Sequence, residues 1–323
     1  MSYQIKVLLL SFFVGLVISL IVIPILRKLK VGQIEREDGP QSHLKKQGTT
    51  TMGGVVMIIS IIIMLGVSFI QYINSEPEVA QSLVPLALVS LGFGLIGLID
   101  DFKKLVLKNT EGLKPSYKML GLLIIAVTFV IYLYTKIGTD TFIPFIKEHI
   151  TMPVWLYIPF AIFVMLGTTN AVNLTDGIDG LATSVTTIII ACLTVIGIML
   201  GVKEVVLLGS IVCGANLAFL IFNMYPAKVF MGDTGSLLLG GVIVAMALYL
   251  KMPFILVIIA LIPVLETLSV IMQVGYYKKT GKRIFKMAPL HHHFELSGWN
   301  ENKVVSVFSI ATLILCFIGL KII

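Results

Sequence analysis

The sequence predicts an all-α, polytopic integral membrane protein: about ten transmembrane helices in a single domain over residues 1–323, with both termini outside and the active site on cytoplasmic loops. Composition is the first reason. Hydrophobic residues make up 57% of the chain and charged ones 13%, about half the charge of a soluble domain. The second is that the apolar residues, at a mean hydropathy of +1.01, come in runs of membrane-crossing length. The third is that, with Glu266 as the exception, charges are confined to the gaps between those runs, and the gaps are too short to bury an independent core.

Taken in order, the spans fall at 7–26, 52–72, 83–99, 119–134, 154–172, 181–201, 205–222, 237–250, 252–274 and 304–320. The first is long enough to span and no small-residue cleavage site follows it, so it reads as a helix rather than a signal peptide. Some spans fall short of the roughly 20 residues a bilayer requires, so the charges serve as an independent check. With ten spans, eighteen Lys and Arg fall in the loops after the odd-numbered helices, against six on the other side. The positive-inside rule puts the first group in the cytoplasm. Eleven acids share that side and leave it at +7, the net charge of the whole chain. Such a face attracts anionic nucleotides, sugar phosphates and lipid headgroups rather than selecting a nucleic acid. Cys192, Cys213 and Cys316 each sit inside an apolar run, which excludes a disulfide framework or a zinc site and leaves them as packing residues.

Two motifs mislead. Gly92-Phe93-Gly94-Leu95-Ile96-Gly97 has the dinucleotide-binding spacing but lies within a span, where small residues serve close helix packing. Asn173-Leu174-Thr175 has the glycosylation pattern but belongs to the cytoplasmic side. Four cytoplasmic clusters remain. Asp100 and Asp101 end an apolar run, and carboxylates so close to hydrocarbon must face water, a cation or a partner. Asp176 and Asp179 follow Asn173, and their spacing places them on one face if the next helix begins there. Asp233 lies between glycines at the mouth of a following helix, where it can reach a metal or cap the helix. His291, His292 and His293 lead into Phe294-Glu295; adjacent imidazoles cannot all face one point, so some act and others orient or pack. Carboxylate oxygens without thiolates favour magnesium, which is held by one or two carboxylates together with substrate phosphates. Lysines complement phosphate charge, so the set reads as phosphoryl chemistry on a diphosphate at the membrane surface. An ion-coupled transporter would instead carry its carboxylates near the midplane at a repeat interface, and no internal repeat is evident.

These clusters, together with Gly48-Thr49-Thr50-Thr51-Met52-Gly53-Gly54 and Asn223-Met224-Tyr225-Pro226-Ala227-Lys228-Val229-Phe230, resemble the polyprenyl-phosphate N-acetylhexosamine-1-phosphate transferases over essentially the whole chain. The triple-histidine segment tilts the resemblance toward the branch that transfers phospho-MurNAc-pentapeptide, rather than the one using UDP-GlcNAc. The resemblance implies a magnesium-dependent transfer from UDP-MurNAc-pentapeptide to undecaprenyl phosphate in the bacterial cytoplasmic membrane, by a homodimer. It implies metal binding by Asp233 and Asp101, with Asp100 activating the lipid phosphate or attacking directly. Asn173, Asp176 and Asp179 would lie on the nucleotide side, with Phe230 stacking on uracil and Asn223 nearby. Lys46, Thr51, Lys118, Gln273, His291, His293 and above all a catalytic His292 would line the cavity. Finally, Glu266 is an ionisable residue deep within a span, three residues after Pro263; a kink there would open a groove for a prenyl chain.

Overall fold

The computed structural model describes residues 3–29, 48–105 and 112–323. Its helices are α1 (Tyr3–Lys28), α2 (Gly54–Ile73), α3 (Pro77–Leu105), α4 (Pro115–Ile137), α5 (Val154–Thr175), α6 (Leu181–Leu200), α7 (Lys203–Asn223), α8 (Gly232–Tyr249), α9 (Leu256–Ile259), α10 (Leu261–Thr280), α11 (Leu290–Glu295) and α12 (Glu301–Ile322). A small antiparallel hairpin, β1 (Asp140–Ile143) and β2 (Glu148–Thr151), joins α4 to α5. Among the described residues nine helices are long and apolar enough to cross a membrane, and a tenth crossing results if the bent α9–α10 pair counts as one.

Helix α8 is the axis of the molecule. It packs against α2, α3, α5 and α6, and nearly all its side chains are buried. Its small residues allow this: a Cβ on Gly240 would lie 2.6 Å from the Thr169 Cα of α5, and one on Gly241 2.9 Å from the Phe93 ring of α3. The Gly92–Gly97 repeat works in the same way. A Cβ at Gly97 would overlap the Asp233 carbonyl, so this glycine lets α3 meet the start of α8. At the periphery, α1 and α12 expose stripes such as Phe13, Leu20 and Ile21, or Ile310, Ile314 and Phe317, as lipid-facing helices do.

The ninth predicted span is broken. The helical segment Pro253–Ile259, which ends in α9, meets α10 at 83°, and Ala260 between them is non-helical. Pro263 explains the position: it has no N–H to give the Ile259 carbonyl and its ring crowds that oxygen, so the break falls three residues before it. Helix α3 departs from prediction in the other direction, since it runs past residue 99 and carries Asp100 and Asp101 in its last two turns.

Candidate active site

The ends of α3, α5 and α7 and the starts of α4 and α8 converge at one end of the bundle, and there Asp100, Asp101, Asp233, Lys118 and Asn173 meet. Oxygens of Asp100, Asp101 and Asp233 lie within 4.8 Å of one another. Two ammonium groups offset them. Lys104 Nζ is 2.6 Å from Asp100 Oδ2 and 2.9 Å from Asp233 Oδ2, and Lys118 Nζ is 2.8 Å from Asp233 Oδ2 and 3.6 Å from Asp100 Oδ2. The Asn173 side-chain amide donates to Asp233 Oδ1 at 2.8 Å and to Ser236 Oγ at 2.9 Å. Thr51 is buried beside the cluster, its Oγ1 3.2 Å from where a Gly232 Cβ would be. This all-oxygen trio suits a hard divalent cation, and its negative charge exceeds that of the two lysines beside it.

The three aspartates differ in their bonding. Asp101 accepts the Thr234 N–H at 2.9 Å, the Thr234 hydroxyl at 2.6 Å and, at 3.3 Å, the Asp233 N–H. A carboxylate from α3 thus caps α8, which leaves Asp233 free of the capping role its position allowed. Gly232, at φ +69°, makes this possible: a Cβ there would come 2.6 Å from Asp101 Oδ2. Asp100 is almost wholly buried, with Oδ1 accepting the Leu113 N–H at 2.7 Å and Oδ2 taking Lys104. Asp233 is the most open of the three, at 19% side-chain exposure, and it links α3, α4 and α5 to α8.

Asp176 and Asp179 do not share a helix face. Helix α6 begins only at Leu181, after Gly180 at φ +75°, so the two lie in a turn and diverge. Asp176 is half-buried; the surrounding protein, and then the charges of Asp233, Asp101 and Asp179, push its pKa up to about 8. Asp179 is buried, accepts the Ala227 N–H at 2.8 Å and so anchors the loop before α8. Asn223 is also internal: it accepts the Thr183 hydroxyl at 2.6 Å and donates to the Val229 carbonyl at 3.0 Å. Phe230 is half-buried on a backbone bridge, its N–H bonded to Thr50 O and its carbonyl to the Gly53 N–H, both at 2.8 Å. The Gly48–Gly54 motif therefore holds the loop that carries Phe230 and Asp233.

The histidines separate as well. His291 is fully buried, whereas His292 and His293 are half-buried. His292 Nδ1 is 2.9 Å from Glu295 Oε2, and His293 Nδ1 accepts the Lys286 N–H at 3.1 Å. Gln273 bonds to the loop that follows α10. Its amide oxygen accepts the Ile284 and Phe285 N–H groups and its NH2 donates to Phe285 O, clamping the loop after α10. Lys46 lies outside the described residues. Lys104 is the site residue that motif reading passed over, although its i,i+4 spacing from Asp100 was a usable signal. Thr234 and Ser236 gave none, because their roles depend on contacts made across the fold.

The glycosyl transferase family 4 profile matches residues 83–251, which include all three clustered aspartates. The chain is 50% identical over 321 residues, 99% of its length and 96% of the relative's, to a protein of Clostridium novyi (strain NT) named phospho-N-acetylmuramoyl-pentapeptide-transferase. Proteins with the same name are similar at 51% over 309 residues in Clostridium perfringens (strain 13 / Type A), covering 96% of this chain and 95% of that one. In Acetivibrio thermocellus (strain ATCC 27405) the identity is 47% over 320 residues, covering 98% and 94%.

Proposed function

Because the chain belongs to the phospho-N-acetylmuramoyl-pentapeptide-transferase family, and is thus a multi-pass membrane phosphotransferase, we propose that it moves phospho-MurNAc-pentapeptide from UDP-MurNAc-pentapeptide to undecaprenyl phosphate. The products are lipid I and UMP, and the reaction takes place at the cytoplasmic face of the bacterial inner membrane. The observation that carries this reading is the knot of Asp100, Asp101, Asp233, Lys104, Lys118 and Asn173 at one end of the helices. Two anionic substrates must approach each other there, and preorganised positive charge is what lowers that barrier.

Magnesium fits the oxygen-only trio, with Asp233 and Asp101 as its holders and Asp100 beside them. When bound, it would offset charge on the diphosphate and on the departing UMP. Lys104 and Lys118, now on Asp100 and Asp233, are placed to turn to substrate phosphate once a cation takes the carboxylates. Asn173 orients Asp233, and Asp101 keeps the start of α8 in register with α3. Asp100 Oδ1 is tied to the Leu113 N–H and the side chain is almost wholly buried, which favours a single displacement by the lipid phosphate over attack by Asp100.

The test is UMP release by the purified chain with undecaprenyl phosphate, with and without magnesium, from UDP-MurNAc-pentapeptide or UDP-GlcNAc. Release from the first donor, abolished by chelator, is expected. Preference for UDP-GlcNAc would move the protein to the sibling activity, and no release from either donor would overturn the reading. Phosphate trapped on Asp100 with donor alone would overturn the single displacement.

A further inference from the structure

Glu266 is fully buried in the first half of α10, and it faces the histidine segment rather than a lipid groove. Its Oε1 accepts the His291 N–H at 3.2 Å and lies 3.2 Å from the imidazole Nδ1. The acceptance falls at the first turn of α11, where the backbone N–H groups of a helix have no internal partner. On its other side the His291 ring occupies the space of a missing side chain: a Cβ on Gly177 would overlap Nε2. Gly177 sits in the turn between Asp176 and Asp179. Among the described residues Glu266 Oε2 and both His291 ring nitrogens have no hydrogen-bond partner of good geometry. Such buried polar groups are costly and call for an explanation beyond packing.

We propose that Glu266 is a positioning residue: through His291 it ties the half-helix beyond the membrane break to the Asp176–Asp179 turn, and so holds that turn against the aspartate cluster. The 3.2 Å approach of Oε1 to Nδ1 on one side and the packing of Nε2 against Gly177 on the other fix the orientation of the ring. The ring then acts as a spacer between α10 and the turn, and glycine at 177 is the residue that admits it. His292, whose ring centroid is 4.1 Å from that of His291, takes its place from the same anchor. The catalytic side of the proposal rests on the phosphotransferase reading; the mechanical side does not.

Two measurements on the full chain in lipid nanodiscs separate these sides: hydrogen–deuterium exchange over 174–181 and 288–296, and kinetics of UMP release. Glu266→Leu is expected to raise exchange in both segments and to lower kcat/KM for the nucleotide donor by about 10- to 100-fold, with KM for undecaprenyl phosphate unchanged. Glu266→Gln keeps an oxygen for the His291 N–H and is expected to restore most of the protection and activity. Gly177→Ala should reproduce the Leu phenotype from the opposite side. The double variant should be no worse than the worse single, since both act on one imidazole. Unchanged exchange over 174–181 in Glu266→Leu, additive losses in the double, or a rise in KM for the lipid alone would each overturn the proposal. If Glu266→Leu does not fold, Gly177→Ala decides: unchanged exchange over 288–296 would overturn it. A wild type that releases no UMP would defeat the phosphotransferase reading and leave the exchange result to judge the coupling.

Discussion

The two ends of the helix bundle handle charge in opposite ways. At one end Lys203 pairs with Glu76 and Lys251 with Asp140, three of the four side chains well exposed and Lys251 partly so. At the other, Asp100 is 3% exposed and Asp233 19%, and Asp233 draws Lys104, Lys118 and Asn173 from three other helices. Exposed pairs add little to stability, whereas buried charges impose a desolvation cost that packing alone never requires. The buried end is therefore where the molecule gives up stability for chemistry. Asp233→Asn is the sharpest way to break this contrast. It removes the charge that Lys104 and Lys118 share, and it should lower UMP release by about 100- to 1,000-fold while the protein remains folded. Near-normal turnover would make the cluster structural.

Asp101 sharpens the contrast within the site, because its carboxylate serves the fold as well as the cluster. Asp101→Ala leaves the Thr234 N–H and hydroxyl without their acceptor and should cost about 1–3 kcal/mol in thermal or denaturant unfolding, along with the loss of activity. Asp233→Asn, by comparison, should lose activity with a much smaller change in stability. Equal destabilisation by both would show that the division of labour between cap and charge does not exist.

Asp176 supplies the next effect, and its sign follows from its raised pKa. The native carboxyl holds its proton up to about 8, while an unfolded Asp loses it near about 4. Between those values the native state binds more protons, so the stability linked to Asp176 is complete below about 4 and is lost as pH rises through about 8. Asp176→Asn mimics the protonated form. In metal-free buffer its melting temperature should match wild type at low pH and exceed it above pH about 8. Parallel curves across that range would remove Asp176 from the charged neighbourhood of Asp233.

Much of this was legible in the sequence, for local reasons. Span length and the eighteen-to-six division of basic residues were enough to bring Asp100, Lys118, Asn173 and Asp233 to one end, where the helices join them. What stayed hidden depends on contacts between distant segments. That Asp101 caps a helix 132 residues further on, or that Asp179 holds the Ala227 N–H, has no counterpart in spacing. The shared face for Asp176 and Asp179, which required a helix beginning at those residues, does not form, because α6 starts at Leu181, where its span was expected, after Gly180 in a left-handed conformation. Pro263 signalled a kink, but the sequence held no sign that Glu266 beyond it would meet His291.

The smallest effect belongs to the opposite end and serves as the control for all the others. Lys203 and Glu76 are 55% and 40% exposed, so water already solvates both partners and removing one leaves no buried charge. Lys203→Ala should shift unfolding by less than about 1 kcal/mol and leave UMP release unchanged. Lys118→Ala removes the same ammonium from a side chain 21% exposed, beside Asp233 and Asp100, and should cut turnover severely. The two substitutions are chemically identical, so any difference between them measures burial and position alone. Equal losses would mean that the two ends follow one rule after all.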